Sequence, residues 1–223
     1  MAQCGRAAAD PVVELPGVTV SSPDNHPAAT RRAEPTDWTL PPCGLVADAA
    51  DYDRAMASAM DCECHWSTGA SGSAVREILE TLPDWFGITE AVDGYIAEAE
   101  RSPTLIASIH TRPVGALTLV RHSRDAAEVH LMAVIRPLHR AGIGRRMLGE
   151  ARRWLECESV RFLQVKTLSA SHPDAGYAAT RAFYQAMGFV VMEEFPDLWG
   201  PRSPAVQLVT YLTPSIKTSE HPS

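Results

Sequence analysis

The segment Arg136-Pro-Leu-His-Arg-Ala-Gly142-Ile-Gly144-Arg-Arg-Met147 carries the strongest structural signal in this sequence. Before it, the run from Glu128 to Ile135 is rich in β-forming residues. After it, the stretch from Gly142 to Glu156 places apolar residues on one side of a helix. Glycines at positions 142 and 144 permit a tight turn and a close approach of the backbone to another molecule. The segment therefore predicts a strand, a glycine turn and a helix in succession.

The start of this helix has the features of an anion site. The first N–H groups of a helix have no intrahelical acceptor, and the helix dipole adds positive potential there. Arg140, Arg145 and Arg146 surround the turn. A dinucleotide fingerprint would need a third glycine where Met147 stands, and the Gly-Lys-Ser/Thr of a Walker loop is absent. A pyrophosphate fits the pattern, and a purely structural turn is the alternative.

The rest of the pattern predicts an α+β fold with a mixed sheet and helices on both faces. Its order is two helices, three strands, a helix, a strand, a helix and two strands. The first helix lies near residues 73–82 and is stopped by Pro83, and a hairpin turn is expected at Thr111–Pro113. The other predicted elements are Glu90–Glu100, Thr104–His110, Val114–Val120, Glu128–Ile135, Gly142–Glu156, Phe162–Thr167, Tyr177–Met187, Phe189–Phe195 and Ala205–Leu212.

Composition limits the class of protein. The chain has 223 residues, of which 45% are hydrophobic and 21% charged, as in an ordinary globular protein. No membrane span or signal peptide is expected, and with five cysteines a reducing cytoplasm is the simpler expectation. Residues 136–166 hold eight Arg or Lys and three Glu, a local charge of +5 in a chain of −7. This basic island suggests a local anion site and not a nucleic-acid surface, and a solvated helix face is the alternative.

The chain also divides by composition. Residues 1–45 are rich in Pro and Ala and predict a disordered extension. Residues 46–214 are expected to form the folded domain, and residues 215–223 are expected to form a disordered tail.

Four motifs in order resemble the GCN5-related N-acetyltransferase (GNAT) superfamily. They are Leu131-Met-Ala-Val134, His139-Arg-Ala-Gly-Ile-Gly144, Phe162-Leu-Gln-Val-Lys166 and Phe183-Tyr184-Gln-Ala-Met-Gly-Phe189. The resemblance covers about residues 70–212, and the segments 79–87, 166–174 and 180–184 look like those of one bacterial subgroup. It implies a mixed, mostly antiparallel sheet of six or seven strands. His139 departs from the family, which usually has Gln or Arg there.

The resemblance implies acetyl-CoA as the acyl donor, held between the strand ending near Val134 and the strand 162–166. Pantetheine amides would pair with the main chain of Met132, Ala133 and Val134. The pyrophosphate would rest on the turn residues His139, Arg140, Ala141, Gly142, Ile143, Gly144 and Arg145.

The resemblance also implies roles in catalysis. Tyr184 would protonate the departing thiolate, although a core aromatic is the alternative. A main-chain N–H near Ala133 would stabilise the oxyanion. Glu128 and His130, at i and i+2 of a strand, are the candidate bases, with a solvated strand face as the alternative. His172 and Asp174 are further candidates, and water could serve in place of any base.

Other side chains are candidates for the acceptor pocket or for a metal. Trp85, Phe86, His172 and Trp199 could contact the acceptor, although packing is the ordinary role of such aromatic residues. Cys62, Cys64 and His65 lack the spaced second pair of a structural zinc site, so no metal is expected. Cys157 has no visible activating base, so a cysteine nucleophile is not expected.

Three functions remain open at this point. The first is N-acetyl transfer from acetyl-CoA to the primary amine of a small cationic molecule, by direct attack in a ternary complex. The second is acetyl transfer to a protein N-terminus or lysine, and the third is a non-catalytic acyl-CoA-binding regulator. The expected partner is a small amine, with no nucleic acid and no membrane. A homodimer through the last strands is a further expectation from the resemblance.

Overall fold

The computed structural model describes residues 61–200 and 202–213. The predicted extension (1–45) and tail (215–223) lie outside these residues. Within the described residues, seven strands and four α-helices follow one another. They are β1 (Cys62–Thr68), α1 (Gly72–Glu80), α2 (Thr89–Ala99), β2 (Pro103–Ile109), β3 (Arg112–Arg121), β4 (Ala126–Val134), α3 (Ile143–Cys157), β5 (Phe162–Leu168), α4 (Ala175–Ala186), β6 (Val190–Phe195) and β7 (Ala205–Tyr211). A 3₁₀ turn at Arg136–Leu138 precedes α3.

All seven strands form one mixed sheet in the order β1-β2-β3-β4-β5-β7-β6. The pairing is antiparallel except between β4 and β5, which run parallel and are joined through α3. A parallel pair needs such a crossover connection, because its strands cannot be joined by a tight hairpin. The α+β class and the mixed, mostly antiparallel sheet expected from the sequence are therefore confirmed.

Helices cover both faces of the sheet. The register row Trp66–Leu105–Leu117 faces α3, because the Trp66 ring lies 5.1 Å from that of Trp154. The alternate row, which includes Ile106 and Ala116, is also buried. Helices α1 and α2 cover that second face: α1 packs on β3 and β4, and the Tyr95 ring of α2 contacts His130 of β4.

Two elements outside the site differ from the sequence predictions, namely an additional strand and the position of one hairpin turn. Residues 62–68, considered above only as metal ligands, form an edge strand paired with β2 along its whole length. The hairpin turn predicted at Thr111–Pro113 lies earlier, because Arg112 pairs with Ile109 and both Arg112 and Pro113 belong to β3. Within the described ranges, no helix is long and apolar enough to cross a bilayer.

Candidate functional site

The two parallel strands separate partway along their length. Pairing between β4 and β5 runs from Ala126↔Phe162 to Val129↔Val165 and then stops. Both strands continue beyond this point, β4 to Val134 and β5 to Leu168. The sheet therefore opens between β4 and β5 on the side where the loop into α3 begins.

A β-bulge lies at the inner end of this opening. Thr118 of β3 pairs with Leu131, and the next residue, Leu119, pairs with Val129, so His130 is an extra residue in β4. A bulge changes the direction of the side chain it carries and is common next to active sites. Here it places His130 where the two strands part.

Main-chain groups of β4 face the opening. The N–H of Ile135 donates to the carbonyl of Val114 on β3 at 2.9 Å. Because hydrogen-bonding direction alternates along an antiparallel strand, Ala133 also pairs with β3, whereas Met132 and Val134 turn their amides toward β5. The oxyanion donor expected near Ala133 is therefore better assigned to one of its two neighbours.

The glycine turn forms a helix start with unpaired donors. Gly142 is the N-cap of α3 at φ 88°, and Arg140 also has a positive φ of 69°. The first hydrogen bond of the helix runs from the N–H of Arg146 to the carbonyl of Gly142 at 3.0 Å. The N–H groups of residues 143–145 precede this bond and have no intrahelical acceptor, so they can bind an anion.

His139 does not point at this anion site. Its Nε2 donates to the Val134 carbonyl at 2.7 Å, and its ring meets the edge of Trp85 at 5.8 Å. Partial burial lowers the pKa of His139 despite that hydrogen bond, so the imidazole is neutral at pH 7. His139, which stands where Gln or Arg is usual, thus links the turn to β4 by a hydrogen bond. Arg140, Arg145 and Arg146, in and just after the turn, are exposed.

Tyr184 is a buried residue next to a side chain that packs against the glycine turn. Its side chain is 3% exposed and contacts the rings of Phe183 and Phe189, each at 5.2 Å. Phe183 approaches Gly144 of the glycine turn, within 3.7 Å of the place a Cβ would take there. Burial raises the pKa of Tyr184 well above its ordinary value of 10.0, so the phenol keeps its proton at every working pH.

Glu128 is held in a polar network at the base of the opening. Its Oε2 accepts hydrogen bonds from Lys166 Nζ (2.6 Å), His122 Nε2 (2.8 Å) and Gln164 Nε2 (2.9 Å). Burial would raise the pKa of Glu128, but Lys166 and His122 outweigh burial and lower it. A carboxylate so satisfied is a poor proton acceptor, which disfavours Glu128 as the general base.

We expect Lys166→Met to lower the free energy of unfolding by about 2 kcal/mol at neutral pH, because it removes one partner of a buried ion pair. The lowered pKa of Glu128 adds stability above its ordinary value of 4.5. That contribution is lost as the pH falls through the lowered pKa, so the deficit of the variant should shrink in acid. Urea unfolding at several pH values measures both effects.

As a control, Arg76→Met breaks an exposed ion pair and should change the free energy of unfolding little. An equal deficit at all pH values would contradict this account.

An aromatic wall stands beside His130. The aromatic wall is formed by the side chains of Trp85, Phe86, Tyr95 and Tyr177. The Tyr95 ring lies 5.6 Å from Phe86 and 5.4 Å from His130. Tyr95 is close enough to Tyr177 for its charge to raise the pKa of Tyr177, and the Trp85 ring lies beside Gly176 at the start of α4.

Trp85 and Phe86 of the wall, and the neighbouring His130, are site candidates from the sequence. Tyr95 and Tyr177 are the two members of the wall that the sequence did not indicate. Tyr95 was recognised in the sequence only as part of a helix face. Tyr177 stood at the predicted start of α4 and carried no chemical signal. Both tyrosines have a pKa raised mainly by burial, and both are therefore neutral.

The remaining candidates lie in two loops and on β1. His172 is in the loop between β5 and α4, where its backbone N–H donates to Ser169, and Trp199 is in the turn between β6 and β7. Cys62 and Cys64 lie on β1, and the described part of the chain contains no group of three or more His, Cys, Asp or Glu that could hold a metal. The roles of His172 and Trp199 stay predictions.

Comparison with known proteins agrees with this geometry. Residues 96–191 match the family model of the acetyltransferase (GNAT) domain. No curated protein sequence matches the chain. A GNAT-family protein from Desulfovibrio desulfuricans superposes with a TM-score of 0.60 at 15% identity, covering 67% of this chain and 98% of its own.

Two further solved structures have the same fold. A GNAT family acetyltransferase from Elizabethkingia anophelis with acetyl-CoA bound gives a TM-score of 0.54 at 16% identity, covering 68% of this chain and 99% of its own. The ribosomal-protein-S18-alanine N-acetyltransferase from Escherichia coli gives 0.55 at 16% identity, covering 72% and 99%. At these identities the likeness extends to the fold alone.

Proposed function

We propose that this protein transfers the acetyl group of acetyl-CoA to the primary amine of a small molecule, because residues 96–191 match the family model of the acetyltransferase (GNAT) domain. One observation carries the proposal. The sheet opens between β4 and β5 beside a helix start with unpaired N–H donors, and a bulge places His130 where the pairing stops. Phe183, which contacts the buried Tyr184, packs against the glycine turn at that helix start. An acyl transfer from a phosphate-bearing thioester can use an anion site, a proton acceptor and a proton donor together.

The chain offers contacts for coenzyme A along the opening. N–H groups at the start of α3, with the exposed guanidinium groups of Arg140, Arg145 and Arg146, would hold the diphosphate. The amides of Met132 and Val134 that face β5 would pair with the pantetheine arm as an added half-strand. These residues match those expected from the sequence, except that Ala133 and His139 are engaged elsewhere.

Three groups of this chain then serve the transfer step. His130 accepts the proton of the amine as nitrogen attacks the thioester carbonyl, directly or through one water. An N–H of β4 that faces the opening donates to the developing oxyanion. Tyr184 donates its phenolic hydrogen to the departing thiolate, and the raised pKa ensures that this hydrogen is present.

The pH dependence of the reaction tests His130. Burial lowers the pKa of His130 more than the charges of Glu98 and Glu128 raise it, so the net pKa lies below 6.5. Hence kcat/KM should rise with pH through that pKa and then level off, as far as this group limits the rate. We expect His130→Gln to lower kcat/KM by about 100-fold and to abolish this acid limb. His65→Gln, on the exposed part of β1, is the control. An unchanged acid limb in His130→Gln would assign the base to another group.

The aromatic wall favours a small acceptor over a protein. Arg136 stacks on Trp85 at 4.8 Å and pairs with Asp84, so the loop after α1 is anchored to the turn before α3. Trp85 also packs beside Gly176 of α4. These contacts fix Trp85 against α4 and against the turn before α3, and a fixed aromatic side chain is a suitable contact for a small acceptor.

Thiol release from acetyl-CoA, measured against a panel of amines, tests the proposal. Release should depend on both the amine and the enzyme, and propionyl-CoA and longer acyl-CoA would define the acyl preference. Calorimetry with coenzyme A provides a separate readout of binding. Coenzyme A binding without transfer to any amine would favour the non-catalytic regulator, and absence of binding would reject the assignment.

A further inference from the structure

The surface beside His130 is aromatic and only partly covered. Trp85, Phe86, Tyr95 and Tyr177 are each half-buried, so none of them is fully enclosed by the protein. Tyr95 is central, because its ring contacts Phe86 on one side and His130 on the other. A flat apolar group bound against Tyr95 would therefore lie next to the proposed base.

The carboxylates closest to His130 are already neutralised by the protein. Glu128 pairs with Lys166 and also accepts a hydrogen bond from His122. Glu98, whose charge also acts on His130, pairs with Arg101 and accepts a hydrogen bond from Ser102. Neither carboxylate keeps an uncompensated charge to attract a cation.

The two carboxylates beside Trp85 are compensated in the same way. Asp84 pairs with Arg136, whose guanidinium also lies over the Trp85 ring. Asp174 caps α4, where its Oδ1 accepts the N–H of Tyr177 at 3.0 Å and faces the positive end of the helix dipole. A second ammonium group of an acceptor would find no unpaired anion at any of these four positions.

We infer that the acceptor is a primary monoamine carried by a short chain on an aromatic or similarly flat apolar ring. The inference rests on the proposed function and names the substrate class of the same site. The aromatic surface offers stacking contacts to a ring, whereas the four compensated carboxylates offer no additional anion to the further ammonium groups of polyamines or cationic peptides. The acceptor expected from the sequence is a small cationic molecule. The inference limits it to molecules that carry one amine group.

An acceptor panel tests this class. We expect kcat/KM to be at least about tenfold higher for 2-phenylethylamine than for n-butylamine, spermidine, glucosamine or a short peptide with a free N-terminus. A higher kcat/KM for spermidine, glucosamine or the peptide would overturn the inference and leave the proposed function intact. Absence of transfer to every amine, with coenzyme A binding retained, would instead reject the proposed function.

Variants of Tyr95 provide a second test of the inferred acceptor class. Tyr95→Leu removes the ring and keeps an apolar side chain, so it should raise KM for 2-phenylethylamine by about five- to tenfold more than it raises KM for n-butylamine. Tyr95→Phe keeps the ring and should restore the ring preference. The matched control is Tyr211→Leu, because Tyr211 makes a similar edge contact with Phe162, at 5.7 Å, at the other end of β5. Equal losses for both amines in Tyr95→Leu would overturn the ring-binding role.

Discussion

Replacing Tyr184 with phenylalanine should lower kcat by about 100-fold or more, the usual contribution of a positioned proton donor. Phenylalanine retains the packing against Phe183 and Phe189 and loses only the hydroxyl. Because the buried phenol stays neutral, it is available as a donor throughout the working range of pH. Steady-state thiol release measures kcat, and calorimetry measures the Kd of coenzyme A, which we expect to be unchanged.

The control for this result is Tyr211→Phe, in which an exposed tyrosine outside the opening loses the same atom. It should leave both quantities unchanged. Urea unfolding of both variants shows whether any loss of kcat reflects stability instead of chemistry. Undiminished turnover in Tyr184→Phe would remove Tyr184 from the mechanism and leave it as a core aromatic residue.

Replacing Gly142 with alanine should weaken coenzyme A binding by at least about tenfold, because it forces an L-residue into the left-handed region that the turn requires. The backbone at Gly142 has φ 88°, and an added Cβ would meet nothing within 4 Å. The substitution therefore acts through the backbone and not through a clash. A shift of this residue to negative φ would turn the donors of residues 143–145 away from a common point.

Gly188 offers a closely matched control. It has φ 84°, and an added Cβ there would also meet nothing within 4 Å. Gly188→Ala should therefore cost a similar amount of stability, about 1 kcal/mol, without changing the Kd of coenzyme A. Similar binding losses in both variants would mean that the effect on Gly142 is one of folding, and the anion site would lose its main support.

Local patterns predicted most of the elements correctly. The helix faces of α1 and α3 follow the apolar spacing in the sequence, and the glycine turn before α3 lies where Gly142 and Gly144 place it. Gly188 ends α4 with positive φ, as a glycine that follows a helix commonly does. Such features depend on residues close together in the chain, and a single sequence contains them in full.

The site depends on features that no local pattern contains. The i, i+2 spacing of Glu128 and His130 assumed a regular strand, whereas a bulge places His130 as an extra residue. The engagement of Glu128 by Lys166 arises from pairing between β4 and β5, across 38 positions of sequence. Likewise, Tyr95 joins the wall only because α2 folds over β4.

The missed strand β1 has a different cause. Its residues, Cys62 to Thr68, mix cysteine, acid, histidine and tryptophan without clear alternation. Pairing with β2 defines it as a strand, and its burial comes from contact with α3 on one face. Tertiary context thus overrides a weak intrinsic preference.

The contact between Trp66 and Trp154 has a practical consequence for experiments in solution. With ring centroids 5.1 Å apart, the two indoles should couple electronically and give a paired signal in circular dichroism. One indole belongs to the edge strand and the other to the helix that begins at the glycine turn. The signal therefore offers an intrinsic, label-free optical report on whether that helix is docked, in the presence or absence of any added compound.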